Sequence, residues 1–487
     1  MRKIRFRRTT LFIVGMTAFL AGLGLARTRL SLDVNWVWLS AILLIIAIWR
    51  RHFSIVFFVA IFGLTLGWWR GTGYIQKLAN YDSLNKRAVI VTGRADTDGI
   101  YDGSQLSFDL TNITVHDPEE INLIGKIGVK GFGEAAIYRG DIVQAEGKLY
   151  PTRGSRQASI SYSQIKVLQR STSKLEKVRR DFLAGMYSAL PEPLASFGLG
   201  LLIGQRSTIP DAVNKQLSAV GLTHVVAVSG YNLTIIMNGV YFFLKKRSKY
   251  QSTLLSAILI GLFLLFTGFS PSIVRAAIVS LLGLVAAYYG HHFRPLVILL
   301  LAAVLTAGWY PIYLWSDIGW YLSFLAFFGV LIVAPLAIKR LYKKGKQPRM
   351  LTNVFIETLA AQMMTLPLIM YIFGQISIVS LPANLLVVPL VPLAMAAAFV
   401  AALGGMIVPF MAGWFAWPAK ILMTYMLDIV NLLARVPHAL SQRTINVPQM
   451  LMIYTMIVVV AIVLWRKTIS KNGIVTGVIN RHFKGVK

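Results

Sequence analysis

The stretch LPANLLVVPLVPLAMAAAFVAALGGM, from Leu381 to Met406, runs for 26 residues without a charged side chain. A helix of about 20 apolar residues crosses the ~30 Å hydrocarbon core of a bilayer, so this stretch predicts a membrane span. The composition of the whole chain agrees with a membrane protein. Of its 487 residues, 56% are hydrophobic and only 14% are charged, whereas about 25% of the residues of a typical soluble domain are charged.

Apolar stretches of similar character recur along the chain and predict a polytopic α-helical membrane protein with about 12 transmembrane helices. The predicted spans are 9–26, 34–49, 53–69, 217–244, 254–268, 273–290, 296–314, 318–338, 354–373, 381–406, 411–433 and 450–465.

The formal net charge of +30 follows mostly from how basic residues are placed around these spans. Lysines and arginines cluster before the first span, after the second, in the loops at 245–249 and 339–349, and after residue 465. The positive-inside rule assigns such clusters to the cytoplasm. We therefore expect both termini to be cytoplasmic, and the basic excess is weak support for a polyanionic partner.

A polar insert separates the third predicted span from the fourth. Five of its segments concentrate β-forming residues between turn signals such as Asp98-Gly99: 87–95, 105–116, 125–131, 141–148 and 159–168. Five short strands predict an inserted all-β barrel of the OB type. Because the third span ends outside the cell, the barrel is expected to be extracytoplasmic.

The C-terminal side of this barrel is basic and carries interleaved tyrosines. OB-fold barrels bind single-stranded nucleic acid with a basic groove and stacking aromatic side chains. The candidate contacts are Lys148, Tyr150, Arg153 and Arg156. A plain solvated surface and a surface for lipid headgroups remain alternatives. The following segment, 174–190, predicts an amphipathic helix at the membrane interface, or else an ordinary covering helix.

Four motifs place polar side chains at membrane depth, where such groups are expensive and indicate function. Their candidate residues are His224, Ser229 and Asn232 in the first, Ser270, Ser272 and Arg275 in the second, Asp317 and Ser323 in the third, and Gln375, Ser380 and Asn384 in the fourth. Each has a plainer alternative. The first motif suits close helix packing through small residues, Arg275 would snorkel to the outer surface, and Asp317 would cap a helix. If Arg275 instead faces a water-filled path, it meets an anion or Asp317.

The motifs that the chain lacks exclude several enzyme classes. It has no cysteine, so it forms no disulfide, thiolate metal site or cysteine nucleophile. It has no G-x-x-x-x-G-K-[ST], H-E-x-x-H or G-x-S-x-G sequence, which excludes a P-loop ATPase and common hydrolases. The sequence therefore predicts neither an enzyme nor a cofactor or metal.

At these four motifs the chain resembles the ComEC family of bacterial competence proteins. The matching sequences are G-L-T-H…A-x-S-G at 221–230, P-S-x-V-R-A at 271–276, D-x-G…L-S-F-L-A at 317–326 and F-G-x-x-S-x-x-S…A-N-L-L…P at 373–389. Two positions depart from the family pattern. Many members have a histidine and a glutamine where this chain has Asn232 and Tyr321, so any role of those groups is altered here.

The resemblance implies a channel in the bacterial cytoplasmic membrane that translocates single-stranded transforming DNA during natural competence. The polar residues of the four motifs would then line the DNA path, and the barrel would bind incoming DNA. Implied partners are membrane lipids, a surface DNA receptor and a cytoplasmic helicase-like ATPase. Many members end in a metallo-β-lactamase-like domain, but only about 22 residues follow the last span here, so a separate nuclease is expected to degrade the other strand.

The predicted organisation has five parts: N-terminal transmembrane helices at 1–70, the OB-like domain at 71–170, an interfacial helix and connector at 171–210, a competence-type channel domain at 211–466 and a basic cytoplasmic tail at 467–487. Two other functions remain open. One is a transporter or flippase for an anionic lipid or cell-wall precursor. The other is a structural membrane scaffold, which leaves the polar motifs unexplained.

Overall fold

The computed structural model describes residues 8–28, 30–49, 55–102, 104–152, 154, 156–205, 208–226, 230, 232, 233, 235, 237, 248–290, 295–342 and 350–469. These residues form two compact units. Unit 1 comprises Met1–Lys177 and Leu300–Trp320, and unit 2 comprises Val178–Leu299 and Tyr321–Lys487.

Unit 1 begins with helices α1 (Arg8–Ala26), α2 (Val34–Trp49) and α3 (Ile55–Ser83). Helices α1 and α3 approach so closely that a Cβ atom added to Gly22 would lie 2.0 Å from the carbonyl oxygen of Leu64. Small residues at such contacts let two helix backbones pack together in a membrane. Helix α3 continues past Trp69, where the third predicted span ends, to Ser83.

The polar insert forms a seven-stranded sheet. Its strands are β1 (Ala88–Ala95), β2 (Ile100–Asp102), β3 (Gln105–Asp117), β4 (Ile121–Leu123), β5 (Ile127–Phe132), β6 (Ile142–Pro151) and β7 (Ala158–Gln169). The five predicted strands are observed as β1, β3, β5, β6 and β7. The sequence analysis missed β2 and β4, which are only three residues long and pair with the long strand β3.

The five long strands close into a ring in the order β1, β6, β7, β5, β3 and back to β1. All neighbours in the ring are antiparallel except β5 and β7, which are parallel. Alternate side chains point inward, as expected for strands with one buried face. The buried set includes Val91, Leu110, Val129, Val143 and Ile160, each 0% exposed.

The other described residues are mostly helical. Its helices are α4 (Lys174–Ala189), α5 (Leu194–Ile203), α6 (Asp211–Ala219), α7 (Lys249–Thr267), α8 (Pro271–Tyr288), α9 (Pro295–Trp309), α10 (Ile312–Ser316), α11 (Ile318–Phe328), α12 (Ala334–Leu341), α13 (Met350–Phe373), α14 (Ser380–Val387), α15 (Val391–Ile407), α16 (Ala412–Ala434) and α17 (Val447–Ile469). A π-helical turn, Gly329–Val333, joins α11 to α12, and the short strands β8 (Gln375–Ser377) and β9 (Leu440–Gln442) pair.

The core of unit 2 contains apolar side chains from α4, α5, α15 and α16, including Met186, Phe197, Ala398 and Met423. Helix α4 enters this core closely, since a Cβ atom on Gly185 would lie 2.4 Å from the carbonyl oxygen of Ala402. Phe182 and Met186 of the predicted apolar face are buried, whereas Val178 is exposed. This half of α4 therefore covers a protein core, and its position at a membrane interface stays a prediction.

Among the described residues, six helical segments are long and apolar enough to cross a membrane: Thr9–Ala26, Ile55–Ser83, Lys249–Thr267, Ile318–Leu341, Thr352–Phe373 and Ser380–Ile407. Shorter apolar helices are Val34–Trp49, Leu194–Ile203, Ser272–Ala286, Pro295–Trp309 and Val447–Val463. The predicted total of about 12 spans and the orientation of the termini stay predictions.

Candidate functional site

The first motif breaks a helix. Helix α6 ends at Ala219, and Gly221 has a φ of +74°, a left-handed conformation that glycine adopts at helix ends. The N–H of Leu222 donates to the carbonyl oxygen of Leu217 at 2.8 Å and closes the end of the helix. The predicted span at 217–244 thus contains a helix end, because Gly221 stops the helix that contains Leu217.

Gly221 brings the first motif against the fourth. A Cβ atom at Gly221 would lie 2.8 Å from the Cβ of Ser380 and 3.4 Å from that of Ser377. The Ser380 hydroxyl donates to the carbonyl oxygen of Ser377 at 2.9 Å. The Gln362 amide on α13 reaches the Ser380 hydroxyl at 3.4 Å. The space beside the Cα of Gly221 holds only a hydrogen atom. Any other residue at position 221 would therefore displace the turn from Ser377 to Ser380.

Two polar atoms in the fourth motif are buried without a hydrogen-bond partner among the described residues: Asn384 Oδ1 and Ser377 Oγ. Asn384 lies on α14, one turn after Ser380, and is 3% exposed. A buried polar atom without a partner costs free energy. Gln375 is placed differently, since it lies on β8 opposite Gln442 of β9. The fourth motif thus contains strand β8 and the polar residues Ser380 and Asn384 in the first turns of α14.

Gly230 brings the first motif against the second. A Cβ atom there would lie 3.3 Å from the Cβ of Ala276 on α8 and 3.1 Å from Phe327 Cε2 on α11. Phe327 immediately follows the third motif. Both distances are at the tight end of normal packing, so the first motif, the second motif and the residue that follows the third meet at this glycine.

Arg275 lies next to Ala276 and is fully buried. Its Nη2 donates to the carbonyl oxygen of Ser272 at 3.3 Å, and its guanidinium carbon lies 5.1 Å from the centre of the Phe324 ring. A cation over an aromatic face is attracted by the ring quadrupole. The snorkelling alternative does not describe this conformation, because the side chain does not reach the surface.

Three other predicted residues of the membrane motifs make hydrogen bonds with backbone atoms. The Asn232 amide donates to the carbonyl oxygen of Leu201 at 2.8 Å, so it binds the end of α5. His224 is exposed, and its Nδ1 lies 3.1 Å from the carbonyl oxygen of Gly221. Ser270 precedes α8, where its carbonyl oxygen accepts the N–H of Val274 at 3.0 Å. Ser323 is half-buried on α11, and Ser229 lies outside the described residues.

Asp317 begins helix α11 in unit 1. Its Oδ1 accepts the N–H of Trp320 at 2.7 Å, which is N-cap geometry and supports the capping alternative. The Trp320 indole donates to the Thr306 hydroxyl on α9 at 2.9 Å. Asp317 also lines a cavity of about 450 Å³ together with Arg156 from the barrel. Two predicted residues that are far apart in sequence are thus brought together.

The outer face of β6 carries two other predicted barrel residues, Lys148 and Tyr150. Lys148 pairs with Ser161, and Tyr150 pairs with Ser159. Lys148 and Tyr150 are exposed, whereas Arg153 lies outside the described residues. The site prediction omitted Tyr162, which is 78% exposed and has a φ of +56° at a register shift in β7. A bulky residue with positive φ is a genuine outlier, and no sequence pattern reports it.

Arg156 is held by an ion pair within the barrel. Its Nε lies 2.7 Å from Asp109 Oδ1 on β3. Burial raises the pKa of the Asp109 carboxyl above its usual value, and the nearby Arg156 and Lys126 only partly oppose this effect. Lys126 itself pairs with Asp96. Arg156 therefore has a fixed position at the rim of the cavity.

No metal site is found among the residues that the structure describes, where three or more acidic or histidine side chains never come together. The ordered groups of the candidate site are instead amides, hydroxyls and arginine, which bind by hydrogen bonds and charge.

A family model described as "Competence protein" matches residues 201–468 of the chain. ComE operon protein 3 of Bacillus subtilis (strain 168) is 26% identical over 218 residues, which cover 44% of this chain and 27% of that relative. The chain thus matches about a quarter of the length of this curated relative. No solved structure is significantly similar.

Proposed function

Because the chain belongs to the competence protein family, we propose that it translocates single-stranded transforming DNA across the bacterial cytoplasmic membrane. The resemblance to the ComEC family is confirmed by the family match and by the relative from Bacillus subtilis. The chain is a membrane protein, as its apolar helices and its family both indicate. A channel for DNA, rather than a broader role in uptake, is our proposal.

One observation carries the proposal: contacts join all four polar motifs. Gly221 packs on Ser380, and Gly230 packs on Ala276. Arg275 then lies against Phe324 of the third motif. The residues in contact are mostly glycine, alanine and phenylalanine, so the contacts connect the four segments that carry the polar side chains. A shared path explains why they lie together.

The chemistry of this set suits a polyanion. Single-stranded DNA needs cations for its phosphates and neutral amides or hydroxyls beside them. Arg275 supplies the cation, and Asn384, Ser377 and Ser380 supply the neutral groups. Since Arg275 is fully buried here, we interpret this conformation as closed. DNA passage then requires α8 and α11 to separate near Gly230.

We also propose that the barrel binds the incoming strand. Its ring order and its single parallel pair agree with the five-stranded OB arrangement, in which strand faces and connecting loops bind oligonucleotides. Lys148 would contact phosphate, while Tyr150 and Tyr162 would stack on bases. The inferred partners are a surface DNA receptor, a helicase-like ATPase and a separate nuclease. We propose no chemical step in this chain itself.

DNA binding by the full-length protein in lipid nanodiscs tests this function against transport of an anionic lipid. A fluorescent oligothymidylate should bind, and its affinity should fall steeply as salt rises because phosphate contacts release counterions. Short-chain phosphatidylglycerol should compete weakly. If the lipid competes strongly and the oligonucleotide does not bind at any salt concentration, DNA is not the cargo and lipid transport is favoured.

A further inference from the structure

Strand β7 has one residue more than its neighbours can pair with. Val129 and Gly131 of β5 are two positions apart, whereas their partners on β7, Ile160 and Ser163, are three positions apart. The pairing of β7 with β6 shows the same extra residue at the same place. An extra residue on one strand of a pair forms a β-bulge. The residue of this bulge with a positive φ, +56°, is Tyr162.

The bulge determines which side chains of β7 face the barrel core. Before it, Ala158 and Ile160 are 0% exposed, and after it, Ser163 and Ile165 are 1% and 4% exposed. A regular strand alternates its faces at every residue, so Ile160 and Ser163 could not both point inward without the extra residue. Tyr162 is consequently turned outward and is 78% exposed.

Close contacts on both sides fix the backbone of the bulge. A Cβ atom on Gly131 of β5 would lie 2.0 Å from the carbonyl oxygen of Ser163, and one on Gly147 of β6 would lie 2.7 Å from Ile160 Cγ2. The buried Ser163 hydroxyl donates to the carbonyl oxygen of Lys130 at 3.0 Å. Glycines on both neighbouring strands thus leave room for the bulge, and a hydrogen bond holds the residue that follows Tyr162.

Tyr162 lowers the stability of the barrel that contains it. A left-handed conformation is unfavourable for a bulky residue, whereas glycine adopts it readily. The Tyr162 side chain has no hydrogen bond or ring contact with the described part of the chain that would offset this cost. Strained residues of this kind cluster at sites that bind ligands. The strain at Tyr162 therefore points to a contact outside the chain.

The surroundings of the ring indicate which ligand it contacts. Lys148 of β6 lies opposite Ser161, the residue before Tyr162, and both Lys148 and Tyr162 are exposed. An aromatic ring that is open to solvent stacks on any nucleobase, and a lysine beside it contacts the backbone phosphate. A lipid headgroup would use the cation but not the projecting ring. A single strand of DNA uses both.

We propose that this bulge is a positioning element that holds the Tyr162 ring away from the barrel surface, where it stacks on a base of the incoming strand. Gly131, Gly147 and Ser163 are positioning residues, because they shape the bulge without contacting DNA. The proposal rests on the DNA binding proposed above and adds that this contact is made at a strained position. A tyrosine at a regular position of the same face would not replace Tyr162.

Three variants of the full-length protein in nanodiscs test the bulge. Tyr162→Gly removes the ring and keeps the bulge, since glycine adopts a positive φ readily. Ser161→Tyr combined with Tyr162→Gly moves the ring to the neighbouring outward position, where the strand is regular. Gln164→Gly is the matched control for stability, at an exposed position of β7 without a positive φ. The dissociation constant for a fluorescent oligothymidylate and the hydrogen–deuterium exchange of β7 peptides are measured for each.

Tyr162→Gly should weaken binding and stabilise the barrel at the same time. We expect the dissociation constant to rise roughly 5- to 150-fold and exchange in β7 to slow roughly three- to tenfold, because the strain is relieved. Gln164→Gly should instead speed exchange, since glycine destabilises a regular strand. The double variant should bind as weakly as Tyr162→Gly.

Wild-type affinity in the double variant would overturn the bulge as a positioning element while leaving DNA binding by the barrel intact. Unchanged affinity or faster exchange in Tyr162→Gly would equally overturn it. If the wild type does not bind oligothymidylate at any salt concentration, the proposed DNA binding itself fails. If the double variant does not fold, deletion of Ser161 removes the bulge, leaves Tyr162 at a regular position and serves the same test.

Discussion

The guanidinium carbon of Arg275 lies 5.1 Å from the centre of the Phe324 ring, and no part of the Arg275 side chain reaches solvent. This contact joins α8 to α11 through a charge that is costly to bury. It also places the proposed cation of the DNA path at a boundary between two helices, which is where a path would open.

Replacing Phe324 tests the contribution of the aromatic face. Phe324→Leu keeps an apolar side chain but removes the ring, and a desolvated cation–π contact contributes about 2 kcal/mol. We expect a lower thermal midpoint for the detergent-solubilised protein and lower DNA uptake. Phe324→Tyr keeps the ring and should retain most of both. Equal behaviour of the leucine and tyrosine variants would show that the ring face does not stabilise Arg275.

Gly230 should tolerate only a small side chain, because Ala276 of α8 and Phe327 of α11 pack against it. Gly230→Leu forces α8 and α11 apart, and overpacking of this kind costs about 1–3 kcal/mol. The matched control is Gly261→Leu on α7, where an added Cβ meets no atom within 4 Å. We expect uptake to fall at least tenfold for the first variant and little for the second. Uptake that is equally reduced in both would point to a general effect of leucine on membrane helices.

The α1–α3 contact predicts opposite effects for two glycines on one helix. Gly22→Ala places a methyl group where the Leu64 carbonyl lies, whereas Gly24→Ala meets nothing within 4 Å. The first variant should lose about 1–3 kcal/mol of stability. The second should be neutral or gain up to about 1 kcal/mol, since alanine favours a helix over glycine. Thermal midpoints measured by fluorescence-detected size-exclusion chromatography check this, and a larger loss for Gly24→Ala would contradict the packing.

The stability of the barrel should depend on pH through Asp109. The pKa of its carboxyl is raised from 3.8 by burial, so the folded protein binds this proton more tightly than the unfolded chain. Stability from this group therefore falls as pH rises from 3.8 through the raised value and then stays constant.

Arg156→Gln should enlarge that loss by removing an attraction that lowers the Asp109 pKa. We expect a cost of about 1 kcal/mol at neutral pH, since Arg156 is partly exposed, and almost none at pH 3.5. Thermal midpoints across this range measure it. In an Asp109→Asn background the substitution should have little effect at any pH, and a persistent neutral-pH cost there would assign the stabilisation to other contacts.

Tyr162 and Lys148 should contribute to DNA binding in distinguishable ways. Stacking on one aromatic ring is worth about 1–3 kcal/mol per base, so Tyr162→Ala should raise the Kd roughly 5- to 150-fold without changing its salt dependence. Lys148→Gln should instead reduce the slope of log K against log salt by about 0.7 if it contacts one phosphate. Titrations at four salt concentrations separate the two effects. An unchanged Kd for Tyr162→Ala would exclude stacking at this position.

The sequence predicted elements whose pattern is local. Alternating β-formers located the five long strands to within a few residues, and uninterrupted apolar runs located most helices. The sequence did not predict where a single residue determines whether a helix continues or ends. Gly221 lies within an apolar run, and its left-handed conformation follows the end of α6. Its close approach to Ser380 joins positions far apart in the sequence, which no local pattern reports.

For the candidate site, the sequence identified residue types better than their partners. The charge of Arg275 at membrane depth identified it as a candidate, but the sequence did not indicate that its guanidinium lies over the Phe324 ring. Arg156 and Asp317 were assigned to different domains, whereas the fold places them around one cavity. Arg275 and Phe324 are 49 positions apart and Arg156 and Asp317 are 161 positions apart, and no spacing rule within one segment reports contacts of this kind. The positive φ of Tyr162 is likewise set by pairing with the neighbouring strands.

The central claim is that this chain carries single-stranded DNA inward, with Arg275 in the path. The most direct measurement is uptake of a strand-labelled, genetically marked duplex by host cells that lack the gene or carry it as wild type or Arg275→Ala, at matched protein abundance. Surface-bound DNA is scored separately from cytoplasmic single strands. We predict that DNA accumulates at the surface without the gene and that only the wild type restores cytoplasmic strands. Undiminished uptake in the deletion strain would contradict the account.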